Sequence, residues 1–282
     1  MIKIVTDGTA DMPAGWPAEY EIHVLPLRVH FGEETYTQGE DFDFNTFYRL
    51  VDEKKQIPKT TLPSPQQLID FYRKIAEKGD EILSIHVGGK LSGTLAVVQA
   101  AAEELREELC IFPFDSDASS AALGFMCREA RQMARTGASM KEIIASLTGV
   151  RERLEIVFTI DRLDFARMSG RVTVLQSTLA SMMNIKPIIV LKEGLLEMGG
   201  RVRTRKAALD KLVELIGNKI GGQQLNLAVV HAAAPEVAHQ LLELIRGKLD
   251  ICETIVLDLA IPVAAHLGPG AVGIVAYPIR GE

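Results

Sequence analysis

The 282-residue sequence holds three cysteines and six histidines, and each scarcity argues against a class of chemistry. Cys110, Cys127 and Cys252 are odd in number, far apart and without CxxC spacing, which argues against a disulfide framework or a zinc ribbon. They read as buried thiols of a reducing cytoplasm. The histidines are dispersed, so a metal site would have to be assembled from distant segments, and HExxH is absent. There is no GxGxxG after the first strand and no GxxxxGK[ST], so both common nucleotide fingerprints are missing. No cofactor is expected. No apolar run approaches the roughly 20 residues of a membrane span, and Met1 leads into a short strand instead of a secretory leader. A net charge of −6 and a pI near 5.6 argue against a nucleic-acid binder and leave at most transient contact with a membrane surface.

What the chain does have is apolar bulk. Hydrophobic residues make up 47% and the mean hydropathy is +0.12, enough for a sizeable core and an internal cavity. One stretch carries the clearest chemistry: Gly88-Gly89-Lys90-Leu91-Ser92-Gly93-Thr94. The apolar run Ile82 to Val87 precedes it and reads as a buried strand; Leu95 to Leu105, rich in alanine, reads as a helix. Glycines let the backbone come close, and the first N–H groups of a helix have no intrahelical partner, so Ser92 and its neighbours are placed to grip an anion. Lys90 is expected to point to solvent.

Around that stretch the pattern is strand, helix, strand, helix. Ile2 to Val5 reads as a strand ending in the polar turn Thr6 to Asp11, where Asp7 and Thr9 either cap the turn or meet a ligand. Ile22 to Phe31, with Pro26, suggests an edge hairpin. Asp43 precedes a helix that places Phe44, Phe47, Leu50 and Val51 in the core. Three prolines stiffen the loop Pro58 to Pro65, Ser64 with Gln67 makes a capping box, and the helix after it runs to about Lys78. Ser139 with Glu142 makes a second box. Short connections of this kind predict a largely parallel sheet with helices on both faces up to residue 155.

From 156 to 282 the sequence predicts a second α/β unit. Its strands are Ile156 to Ile160, Lys186 to Leu191, Leu225 to Val230, Thr254 to Asp258 and Val272 to Tyr277. Val172 to Ile185 reads as an apolar helix, in which Met182 and Met183, with Met168 nearby, pack in the core or line a tunnel. Arg201, Arg203, Arg205 and Lys206 form a basic cluster, either a solvated face or a dock for an acidic partner. His266 stands before Gly268-Pro269-Gly270, an unusual place for a core histidine. Ser92, His266 and Asp7 could also be assembled as a serine-hydrolase triad acting on a lipid-like ester, although Ser92 lacks the GxSxG elbow.

Six short motifs, in order along nearly the whole chain, resemble the DegV family of bacterial fatty acid-binding proteins. They are Thr6-Asp7-Gly8-Thr9-Ala10-Asp11, where the family usually has serine at Gly8; Thr60-Thr61-Leu62-Pro63-Ser64, usually threonine-serine-glutamine-proline-serine; and Lys90-Leu91-Ser92-Gly93-Thr94. After these come Ser169-Gly170-Arg171-Val172, Asn184-Ile185-Lys186-Pro187 and His266-Leu267-Gly268-Pro269-Gly270. The resemblance implies an α/β protein of two domains, an N-terminal α/β/α domain with a parallel sheet and a C-terminal domain with a mixed sheet, burying a long-chain fatty acid between them. It implies a carrier that is not itself an enzyme. By motif match Thr60 and Ser92 would bond the carboxylate, with Thr61, Gly93, Thr94 and His266 in the same network. Arg171 and Arg203 would meet a partner, a fatty acid kinase that makes the acyl-phosphate for phospholipid synthesis. Chain length, unsaturation and oligomeric state are not specified by any of these residues.

Overall fold

Runs of four to eight apolar or alternating residues, separated by amphipathic helices, give two sheet-centred bodies. The computed structural model describes residues 1–39, 42–172 and 185–279. In chain order β1 (Ile2–Asp7) leads through α1 (Trp16–Glu19) to β2 (Ile22–Leu25). A hairpin follows, β3 (Arg28–Phe31) with β4 (Glu34–Thr37). Then come α2 (Phe44–Lys54), β5 (Lys59–Thr61) and α3 (Pro65–Ile75). Next are β6 (Glu81–His86), α4 (Thr94–Glu104), β7 (Cys110–Asp115), α5 (Ala121–Arg135) and α6 (Met140–Arg153). The remainder begins with β8 (Glu155–Thr159), α7 (Leu163–Ser169), β9 (Lys186–Lys192), β10 (Leu195–Val202) and α8 (Arg205–Ile220). It closes with β11 (Leu225–His231), α9 (Pro235–Ile245), β12 (Ile251–Asp258), α10 (Ile261–Leu267) and β13 (Val272–Pro278).

These elements fall into two compact units, each drawn from three segments. Met1–Asp43, Thr60–Glu152 and Ala260–Pro262 form the first; Phe44–Lys59, Arg153–Leu259 and Val263–Glu282 form the second. A chain that alternates in this way has no single cut point. Residues 260–262 join the first unit where Ala260 N donates to the Asp11 carboxylate, which Ser120 Oγ also reaches.

The first unit contains a parallel sheet of order β2-β1-β6-β7 and a small sheet β4-β3-β5. Val5, Ile82, Leu68, Tyr72, Val98 and Leu105 form one cluster, so α3 and α4 cover one face. Helix α5 packs on β1 and β6, and its Cys127 meets Thr6. Neighbours along a strand point to opposite faces, so α5 covers the other side from Val5. The second unit has a six-stranded sheet, β10-β9-β8-β13-β11-β12, in which only β11 and β12 run parallel. Leu209, Leu212 and Ile216 of α8 and Leu241 and Ile245 of α9 bury against Val157, Ile188, Leu227 and Ile274. Each such side chain contributes about 1.5–3 kcal/mol when fully buried.

Both expected capping boxes are present, at Ser64 with Gln67 and at Ser139 with Glu142. Several expectations need correction. The stretch 22–31 is two strands in two sheets, because Pro26 and Leu27 interrupt it; the hairpin uses only Arg28–Phe31 with Glu34–Thr37. Helix α3 ends at Ile75, short of Lys78, since Ala76 is already extended. Strand β10 and helix α10 were not expected. Phe44 and Met168 are exposed, not core. Of the cysteines only Cys127 is buried; Cys110 and Cys252 are exposed because β7 and β12 are outermost strands among the described residues. The helix read over Val172 to Ile185, with Met182 and Met183, and the Asn184 motif position lie in 173–184, outside the described residues, apart from Val172 and Ile185.

Candidate functional site

The Ser92 turn is built by its glycines and anchored by two carboxylates, buried Asp7 and half-buried Asp115. Strand β6 leaves the sheet at His86, and Val87 N donates to Asp7 Oδ2 over 3.0 Å. Gly88 then passes so close to the chain at Asp117 that a Cβ would lie 2.9 Å from its carbonyl carbon. Gly88 N donates to Ala118 O (2.8 Å) and Gly89 N to Asp115 Oδ1 (3.2 Å). Leu91 N and Ser92 N both donate to Gly88 O, closing the turn. Ser92 Oγ sits 2.9 Å from Thr94 Oγ1 and accepts Thr94 N at 3.3 Å, at the start of α4. Ser92 is half-buried, Thr94 buried, and Gly93 exposed. The result is two touching hydroxyls at a helix N-terminus, where one O–H proton stays available and the partial positive charge of the helix favours an anion. Lys90 is exposed, as expected.

The proline-braced loop meets this turn. Leu62, about half exposed at 49%, lies against Gly93: a Cβ there would fall 2.9 Å from Leu62 Cδ1. Thr60 and Thr61 therefore stand beside the Ser92 turn on β5. Thr60 is half-buried; the Thr61 hydroxyl bonds sideways to His30 Nε2 (2.8 Å), and His30 Nδ1 bonds Thr35 Oγ1 (2.8 Å). Thr61 is thus a brace between β5 and β3 as well as a site candidate.

Beneath the turn runs a chain of buried polar groups that sequence reasoning missed. Tyr72 OH bonds Ser84 Oγ (2.8 Å), Ser84 Oγ bonds His86 Nε2 (2.7 Å), and His86 Nδ1 bonds Asp7 Oδ2 (2.9 Å). Asp7 Oδ1 accepts both Thr9 N (3.0 Å) and Thr9 Oγ1 (2.6 Å). Tyr72, Ser84, His86 and Asp7 are all fully buried. Burial alone would raise the Asp7 carboxyl, yet the bonds from His86, Thr9 and Val87 outweigh it and hold the group below its ordinary value. Burial pushes the Tyr72 phenol up to about 12. Asp7 is therefore far more than a turn cap. Ser84 and His86, two apart within an apolar strand, share one face, and that was the signal in the sequence.

One departure in the first motif has a structural counterpart. A Cβ at Gly8 would lie 2.0 Å from Gln38 Oε1, so the glutamine side chain takes the space a serine would use.

In the second unit His266 occupies the last turn of α10. Gly268 N donates to Ala264 O (2.8 Å) to close that helix, with Gly268 at φ +75 and Gly270 at φ +87. Burial, with the Arg171 charge adding to it, lowers the His266 pKa to about 4, so the ring is neutral near pH 7. Arg171 is exposed and its Nη1 donates to Ser169 O over 2.7 Å; Arg203 is exposed. Arg201 and Lys206 are likewise exposed, but Arg205 turns inward onto Asp161 and Gly270 O and leaves the basic cluster. Among the described residues no group of three or more His, Cys, Asp or Glu side chains could hold a metal ion, and no helix is long and apolar enough to cross a membrane.

The arrangement sets the Ser92 and Thr94 hydroxyls at the start of α4, beside Thr60 on β5. A serine hydrolase built on Ser92, His266 and Asp7 lacks its acid, because both Asp7 oxygens already serve Thr9, His86 and Val87. Thr60, Ser92, Gly93 and Thr94 come together in one unit, whereas His266, Arg171 and Arg203 belong to the other.

Comparison with known proteins adds an independent line. A family model described as "Uncharacterised protein, DegV family" matches residues 1–279. Protein DegV of Bacillus subtilis is 31% identical over 275 residues, covering 97% of this chain and 98% of that one. Among solved structures, a DegV family protein from Thermus thermophilus, described by its fatty acid binding, superposes with a TM-score of 0.91 at 29% identity over 99% of both chains. DegV from Bacillus subtilis, described as a fatty acid binding protein, superposes at 0.87 with 29% identity, again over 99% of both.

Proposed function

The chain belongs to the DegV family, and from that premise we propose that it binds a long-chain fatty acid, with the carboxylate at the Ser92 turn. The observation that carries this reading is the pair Ser92 and Thr94 at the start of α4, beside Thr60, in a chain whose whole-length relatives are described as fatty acid-binding. Ser92 Oγ and Thr60 Oγ1 are the proposed donors, Thr61, Gly93 and Thr94 complete the cradle, and His266 takes the role that the family resemblance gives it.

The energetics are compatible. Burying about 14 methylenes at about 0.8 kcal/mol each contributes on the order of 11 kcal/mol before association and ordering costs. Micromolar affinity needs about 8 kcal/mol. The tail supplies affinity, so the head-group contacts need only fix register. Neutral hydroxyls suit that task, since a buried Arg–carboxylate pair would cost desolvation and hide the oxygens from a second protein. On this reading the protein is a cytoplasmic carrier, not an enzyme, presenting the carboxylate to a fatty acid kinase for acyl-phosphate formation, with Arg171 and Arg203 as contacts for that partner.

The test is direct. Protein purified from a bacterial host and denatured for mass spectrometry should release a stoichiometric long-chain fatty acid. Finding none, together with no binding of added oleate or palmitate, would sink the proposal.

A further inference from the structure

The basic residue that left the surface cluster has its own work. We infer that Arg205 is a positioning residue for His266, holding the Gly268–Gly270 turn on which the end of α10 rests; the inference builds on the proposed role of His266.

The turn is gripped at both of its glycines. At Gly268 a Cβ would fall 2.7 Å from Phe165 Cγ and 2.8 Å from Arg162 Cβ, so the backbone lies flat on α7 and the residue before it. At Gly270 a Cβ would fall 2.7 Å from Asp161 Oδ2, so Asp161 packs directly beneath. Gly270 N donates to Ala232 O (2.8 Å), while its carbonyl accepts from Arg205 Nη2. The same guanidinium donates from Nη1 to Asp161 Oδ1 at 3.1 Å, and Lys186 Nζ reaches that oxygen at 2.8 Å. Arg205 thus ties a carbonyl of the turn to a carboxylate at the end of β8.

Its fork geometry matters here. One planar group spans two acceptors at fixed separation, which a lysine ammonium on a flexible stem cannot copy. The Arg205 side chain is only 22% exposed, and burial lowers its pKa against the pull of Asp161, which fits a structural clamp better than a docking charge. His266 lies two residues before Gly268, and the Gly268 N bond to Ala264 O carries the restraint back into its helical turn. Loosening the turn lets water reach the imidazole.

The experiment uses full-length protein with Arg205→Lys and, as a second route to the same contact, Asp161→Asn. The His266 ring is titrated by NMR without ligand, and oleate affinity is measured separately. The expected result is a rise in the His266 midpoint by about one pH unit as burial is relieved, with oleate affinity falling about tenfold, one hydrogen bond's worth. Arginine removal acting only on global stability would leave the ring titration in place. An unchanged titration in both variants overturns the inference. So does unchanged oleate affinity in both while His266→Ala loses binding. If His266→Ala binds oleate as the parent does, the proposed role of His266 falls, and the ring titration alone decides whether Arg205 positions it.

Discussion

Two glycine turns, one in each unit, hold the residues of interest by opposite means. At Gly88–Gly93 the glycines keep ordinary negative φ where needed, as at Gly93 (φ −72), and serve close approach to Asp117 and Leu62. Their anchors are carboxylates that accept backbone N–H groups, Asp7 from Val87 and Asp115 from Gly89. At Gly268–Gly270 both glycines are left-handed, and the anchor is a cation that donates to a carbonyl. Two histidines, one in each unit, differ in the same way: buried His86 has a carboxylate partner, whereas half-buried His266 has the Arg171 charge near it. Polarity of the anchor, more than the presence of glycine, therefore decides what each turn can present. The first presents hydroxyls at a helix N-terminus; the second presents a neutral imidazole.

The contrast can be broken most forcefully at Asp7. Asp7→Ala strands His86 and the Val87 N–H in the core, and should lower stability by about 3–5 kcal/mol, read as a drop in the denaturant midpoint. A midpoint within experimental error of the parent would show that the buried chain is dispensable. In the other turn Gly268→Ala forces a side chain into a left-handed φ against Phe165, at a cost of about 2–3 kcal/mol. That loss should be traceable by hydrogen exchange to β13 and α10; protection unchanged there would mean that the turn is not under the restraint described.

Ser92→Ala should do the reverse of both. It leaves stability near the parent and weakens fatty acid binding by about 1–3 kcal/mol, the range for hydrogen bonds to a charged group; equal calorimetric affinities would remove Ser92 from the site. The turns also separate by pH. His266 binds its proton near 6.5 when unfolded and near 4 when folded, so acid favours unfolding and the second unit loses stability as pH falls through that window. Asp7 is lowered instead, so its contribution persists until pH drops below its unfolded value of about 3.9. Graded-pH hydrogen exchange should show the Gly268–Gly270 turn and the end of α10 loosening before the Gly88–Gly93 turn, and simultaneous loosening of the two turns would contradict this order.

Much of this architecture is readable from local chemistry. Capping boxes at Ser64 and Ser139, glycine with hydroxyl after an apolar run, and the strand-helix alternation depend on neighbours within a few residues, which sequence displays. What escaped depends on distance or brevity. Asp7 and His86 are 79 residues apart, and Arg205 and Asp161 are 44 apart, so neither pairing leaves a local trace. Strand β10 hides behind Gly199-Gly200, where the register shifts, and α10 spans seven residues, under two helical turns. Cys110 and Cys252 looked like core residues because burial is the habit of cysteine; edge position, a property of sheet order, overrides that habit.

The cysteine distribution equips the natural sequence for spectroscopy. Cys110 belongs to the first unit and Cys252 to the second, and both thiols face solvent. Cys127 is enclosed, with its pKa pushed up to about 12 by burial, so it stays a thiol and unreactive at neutral pH. A maleimide dye pair added to the unmodified chain should therefore settle one label on each body and leave the core untouched. Energy transfer between those labels, followed as oleate is added, becomes a direct optical readout of any motion that loading requires.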